Sequence, residues 1–130
     1  MKVLTRDELL ALTEVPKEAV ELPGGARVYV RGMTGKERDG WENALMVGRG
    51  QHRRVDTRNA RARLAVRCLV DEHGVRLFAD QDAEQVGNIR ADCLQRIFNA
   101  AQRLSGVSDE DLDELGKSSG SVDGDASSST

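Results

Sequence analysis

Two groups of side chains in this 130-residue chain have types and spacing that could do chemistry. The first is Asp71-Glu72-His73, two carboxylates beside an imidazole, which are the parts of a general acid–base site. Gly74 follows at once, and Asp-x-x-Gly is equally a turn in which the Asp holds backbone amides. The turn is the reading preferred here. The second group runs from Arg49 to Arg67, with seven arginines against one aspartate. Arg58, Arg61 and Arg63, with Arg49, Arg53 and Arg54 before them, could neutralise several phosphates and give salt-dependent binding to nucleic acid. Against that, no aromatic stacking platform stands beside them, no helix-turn-helix spacing is present, and the net charge is −3. A solvated arginine face, or one paired with the acidic C-terminal segment or a partner protein, fits the pattern better.

Other chemistry is harder to assemble. The chain has no GxSxG, no phosphate-loop glycine pattern and no HExxH. His52 and His73 are the only histidines, and Cys68 and Cys93 are too far apart for a CxxC pair, so no zinc set is expected. Each cysteine falls at an apolar helical position, where it is expected to act as a small buried hydrophobe. We therefore expect no enzyme activity and no cofactor. No apolar run approaches a membrane span, and Met1-Lys-Val-Leu-Thr-Arg-Asp-Glu8 lacks a signal-peptide core, so a cytoplasmic protein is expected.

The elements that would position these residues can be read from periodicity and caps. Thr5-Arg-Asp-Glu8 is a capping box opening a short helix over about 6–13, which Pro16 ends. Val20/Leu22 and Val28/Val30 alternate around Pro23-Gly24-Gly25, predicting a β-hairpin over about 19–31 that must pack on helices or pair with another chain. Thr34-Gly-Lys-Glu37 is a second capping box, opening a helix over about 34–47 with Trp41, Ala44 and Leu45 on one face. Gly48 to Arg54 reads as a basic loop.

A helix over about 57–70 follows, capped by Asp56 or Thr57. Its inward stripe is Ala62, Ala65, Val66 and Leu69, with Arg58, Arg61, Arg63 and Arg67 largely off it. Val75 to Phe78 is a short strand or an extended connector. A helical region spans about 82–104, weak at first and then strong, with an apolar stripe of Leu94, Ile97, Phe98, Ala101 and Leu104. That stripe is expected to be mainly core, with part of it open for docking. An acidic helix over about 109–115 is capped by Ser108, and 116–130 is a disordered Ser/Gly/Asp tail. The expected fold is mainly α with α+β character: one small helical domain over 1–115, with an N-terminal β-hairpin and a disordered C-terminal tail.

Several blocks, taken in order, carry a family resemblance. They are Leu22-Pro-Gly-Gly25, Val28-Tyr-Val-Arg-Gly-Met-Thr-Gly35, Glu37-Arg38-Asp39, Asn59-Ala-Arg-Ala-Arg63, Cys68-Leu-Val-Asp-Glu-His-Gly74, Arg76-Leu-Phe78 and Ala101-Gln-Arg-Leu-Ser-Gly106. Together they resemble the small tail assembly chaperones of long-tailed, siphovirus-type bacteriophages and prophages. The resemblance implies a small, mostly helical fold able to self-associate. It also implies a non-enzymatic role: binding the tape measure protein, keeping it soluble and helping tail tube protein assemble around it. Such proteins act in the cytoplasm of the bacterial host and are absent from the mature virion. Many are also made in a −1 frameshifted, longer form; here the Gly116-Lys117 dipeptide is a position where slippery codons could lie. The resemblance fixes no contact residues. From the residues themselves, Arg58, Arg61, Arg63, Arg67, Leu94 and Phe98 are the candidate partner contacts. The alternatives are a nucleic-acid-binding regulator using 49–67 and a structural head–tail connector.

Overall fold

The computed structural model describes residues 1–112 and 114. Their helices are α1 (Arg6–Leu10), α2 (Gly35–Ala44), α3 (Ala60–Cys68), α4 (Ala83–Val86) and α5 (Ala91–Leu104). The strands are β1 (Lys17–Glu21), β2 (Arg27–Arg31), β3 (Met46–Val47), β4 (Arg54–Val55) and β5 (Leu69–Val70). The architecture is the expected one, mainly helical with an N-terminal hairpin. The end of the acidic helix, the 116–130 tail and Gly116-Lys117 lie outside the described residues.

The hairpin forms because its turn supplies what β1 and β2 need. Gly24 (φ 103°) and Gly25 (φ 94°) hold a left-handed backbone that other residues avoid. Leu22 N–H then donates to the Ala26 carbonyl at 2.8 Å. In the antiparallel register Val20 lies opposite Val28 and Glu18 opposite Val30. The hairpin does not stand alone. Its second strand also pairs with β5, Val30 opposite Leu69 and Tyr29 opposite Val70, giving the sheet order β1-β2-β5.

Helix α3 is the centre of the molecule. Ala62, Leu64, Ala65, Val66 and Cys68 are all buried, so most of its circumference is enclosed. It packs on α4 and along α5, which contributes Cys93, Ile97, Ala100 and Ala101. Small alanines on both helices allow the close approach, and Val30, Met33, Trp41 and Leu45 complete the same core. Cys68 is enclosed and Cys93 is 8% exposed. Burial pushes the Cys68 thiol up to about 11, so it stays a neutral hydrophobe.

Several elements end earlier than periodicity suggests, each for a local reason. Helix α1 stops at Leu10 and buries nothing, leaving Leu9, Leu10 and Leu12 exposed. Helix α2 stops at Ala44 because Met46-Val47 pairs with Arg54-Val55. The expected basic loop is therefore the tip of a small ribbon, turned at Gly48 (φ 86°), where a Cβ would collide with the His52 carbonyl. Helix α3 starts at Ala60 behind a left-handed Asn59 (φ 54°). Neither Asp56 nor Thr57 caps it, because the Asp56 carboxylate is occupied by Arg58 and Arg63. Residues 69–70 leave the helix to become β5, and the expected 82–104 helix breaks between Val86 and Ala91. Asp71 accepts from the amides of His73 (2.8 Å) and Val75 (3.0 Å), so the Asp-Glu-His cluster is a turn joining β5 to the bridge at Arg76.

The crossing from β2 into α2 is a compact lock. Thr34 and Glu37 form the capping box, with Glu37 Oε1 accepting from Thr34 N–H at 2.9 Å. The same carboxylate accepts two bonds from the Arg31 guanidinium, at 3.0 and 2.7 Å. Arg31 above all, with the Thr34 amide, lowers the Glu37 pKa from 4.5 to about 2. A depressed carboxylate contributes stability above its unfolded pKa and loses it as pH falls through the folded value. Stability should therefore drop between pH 4.5 and about 2, and Glu37→Gln should remove part of that drop. Thermal melts of both proteins across this window would show it; parallel pH profiles would contradict it.

Candidate functional site

The four arginines singled out on or beside α3 have different surroundings. Arg58 is exposed but chelates Asp56, through Nε at 3.0 Å and Nη2 at 3.1 Å. Arg63 also donates to Asp56 Oδ2, at 3.2 Å, and to the Asp56 carbonyl at 3.3 Å. These bonds hold the nearly buried Asp56 carboxylate far below its usual pKa, Arg58 contributing most. Arg67 has only 12% of its side chain exposed; it donates to the Arg63 carbonyl at 3.1 Å and faces Asp80 at 3.3 Å. Arg76 joins Asp80 at 2.8 Å and donates to the Val66 carbonyl at the end of α3.

These arginines are internal ties, their stems along the protein and their heads on fixed acceptors. Of the acidic segment's described residues, Asp111 faces Arg38 of α2 at 3.4 Å. Arg61 differs. Its guanidinium lies over the Phe98 ring, 5.6 Å from the centroid, and among the described residues it has no carboxylate partner. Such stacking leaves the donor edge of the guanidinium free for another group.

Arg61 and Phe98 belong to a groove that periodicity alone does not disclose. Trp41 and Leu45 from the end of α2, Val55 from β4, Ala60 and Arg61 from α3, and Phe98 from α5 surround about 550 Å³. Gln95, Asn99 and Gln102 on α5 form a polar margin, and Asp109 and Leu112 close the far end. The volume lies within the range of sites that hold ligands or partner side chains. Trp41 is 1% exposed, and its indole Nε1 has no hydrogen-bond acceptor among the described residues. Leaving such a donor unsatisfied costs about 1–3 kcal/mol.

Helix α5 is divided between two tasks. Ile97 and Ala101 of the expected stripe are buried, whereas Phe98, Leu94 and Leu104 are half-buried at its margin. Of the candidate contacts, the structure brings Arg61 and Phe98 together in the groove. It places Arg58, Arg63 and Arg67 in ion pairs and packs Leu94 against the core. Periodicity does not disclose Val55 and Leu112 as groove walls, with the buried Trp41 and Leu45 behind them. Trp41 was the available signal, as the single Trp of a chain with so few aromatics.

A family model for phage tail assembly chaperones matches residues 14–118. The chain belongs to the phage tail assembly chaperone family. No curated protein and no solved structure matches it. The matched region of this tail assembly chaperone leaves out α1 and contains every residue of the groove. Among the described residues no group of His, Cys, Asp or Glu could hold a metal ion, and no helix is long and apolar enough to cross a membrane. The blocks carrying the resemblance meet in space: Gly32 lies against the Leu104 carbonyl, Cys68 against Ser105 (3.8 Å), and Arg38 donates to the Gly106 carbonyl.

Proposed function

We propose that this chaperone holds helical segments of the tape measure protein in the Trp41–Phe98 groove until tail tube protein assembles around them. The reading rests on family membership together with one observation, an apolar groove of about 550 Å³ with a polar margin, open among the described residues. A tape measure protein is long and largely amphipathic helix, and its apolar stripe needs shelter without permanent burial. A site with a few anchors, here the part-buried Val55, Phe98 and Leu112, suits capture and release, because anchors rather than total area set affinity. The chaperone would act in the host cytoplasm and leave before the virion is complete. A −1 frameshifted longer form, slipping near Gly116-Lys117, would add a second binding segment behind the same domain.

Co-expression with fragments of the tape measure protein tests the reading. The chaperone should raise the soluble yield of those fragments several-fold and co-purify with them. Phe98→Asp, which places a charge at the groove wall, should abolish both effects while circular dichroism stays unchanged. Fragments that precipitate equally with and without the chaperone would defeat the proposal.

A further inference from the structure

We infer that the groove selects an acidic amphipathic helix, one whose apolar stripe covers Phe98 and Val55 while a carboxylate beside that stripe meets Arg61. The inference rests on the groove being the client site and adds the chemistry of the client. Three observations carry it.

First, the cation on the groove wall is unmatched. Arg61 stands on its wall with no carboxylate partner among the described residues. Arg61 differs in this from its neighbours along α3, where Arg58 and Arg63 pair with Asp56 and Arg67 with Asp80.

Second, the ring beneath Arg61 fixes the guanidinium at the boundary between apolar wall and solvent. A carboxylate at the edge of a docked helix would meet it there without deep desolvation of either charge. Third, the glutamine and asparagine margin on α5 offers donors and acceptors to a helix passing over it. Nucleic acid fits less well. The groove is apolar, its one aromatic ring at the surface is already covered by Arg61, and Asp109 closes one end.

Trp41 is the only tryptophan in the chain, so its emission reports on the groove directly. Two synthetic peptides of about 18 residues, long enough to be helical, would share one leucine stripe. One would carry Glu beside the stripe and the other Lys. At low salt the Glu peptide should shift Trp41 emission and bind about tenfold more tightly than the Lys peptide, a margin that shrinks as salt screens the pair. Arg61→Gln, at an exposed position, should keep the melting temperature and erase the preference; Arg6→Gln, on α1, should leave it intact.

Equal affinity for the two peptides would overturn the charge selection, while soluble co-purified tape measure fragments would still uphold the chaperone reading. Emission unmoved by either peptide would overturn the inference outright. So would a duplex oligonucleotide that shifts Trp41 at lower concentration than the Glu peptide.

Discussion

Gly32→Ala should destabilise the protein by about 3 kcal/mol, the upper end of what overpacking usually costs. Gly32 is buried where β2 leaves the sheet, and its amide donates to the Pro16 carbonyl at 2.9 Å. A Cβ built there collides with the backbone carbonyl of Leu104. Backbone cannot turn aside as a side-chain tip can, so either the end of α5 or the β2–α2 crossing must move. Both are anchored, the crossing by Arg31–Glu37 and α5 by Ile97 and Ala101 in the core. The melting temperature should fall by roughly 12 °C or more for a domain of this size. Gly40→Ala supplies the contrast. It lies inside α2, and a Cβ there meets nothing within 4 Å. That change should stabilise by about 0.5–1 kcal/mol, through helix propensity alone. Equal melting temperatures for the two variants would mean that β2 and α5 are not in the contact described.

The contrast also shows where sequence reading works. Capping boxes at Thr5 and Thr34, the hairpin around Gly24-Gly25 and the turn at Asp71 depend on neighbours a few residues apart, and all were legible. Element ends were not. Met46-Val47 leaves the helical pattern only because Arg54-Val55 returns to pair with it, and Leu69-Val70 because β2 is waiting. The arginines of α3 failed for a related reason. An arginine off the apolar stripe reads as solvated, yet Arg63 and Arg67 are drawn inward by Asp56 and Asp80, which no helical spacing links to them. Leu64, off the expected stripe, is fully enclosed because strands and helices surround α3 on more than one side. The groove was the least legible feature, since its walls come from α2, β4, α3 and α5 at once.

That enclosure of Leu64 sets up the other large effect. Leu64→Ala should cost about 2–5 kcal/mol, because the side chain is 0% exposed and a rigid neighbourhood keeps much of the cavity open. Phe98 is the larger side chain, and complete burial would make Phe98→Ala cost about 3–5 kcal/mol. Its ring is only half-buried, with one face toward the groove under Arg61. Less surface returns to water when it is removed, and the space left is open to solvent rather than a sealed void. Its cost should therefore fall below that of Leu64→Ala, near half the buried figure. Denaturant titrations of the two variants, with equal slopes, would give the order directly. Function should follow the opposite order. Leu64→Ala, assayed at a temperature where it remains folded, should still keep tape measure fragments soluble, since it touches no groove residue's exposed face. Phe98→Ala should fail in that assay although more stable. Loss of client binding in proportion to stability in both variants would make Phe98 a core residue and remove the groove from the mechanism.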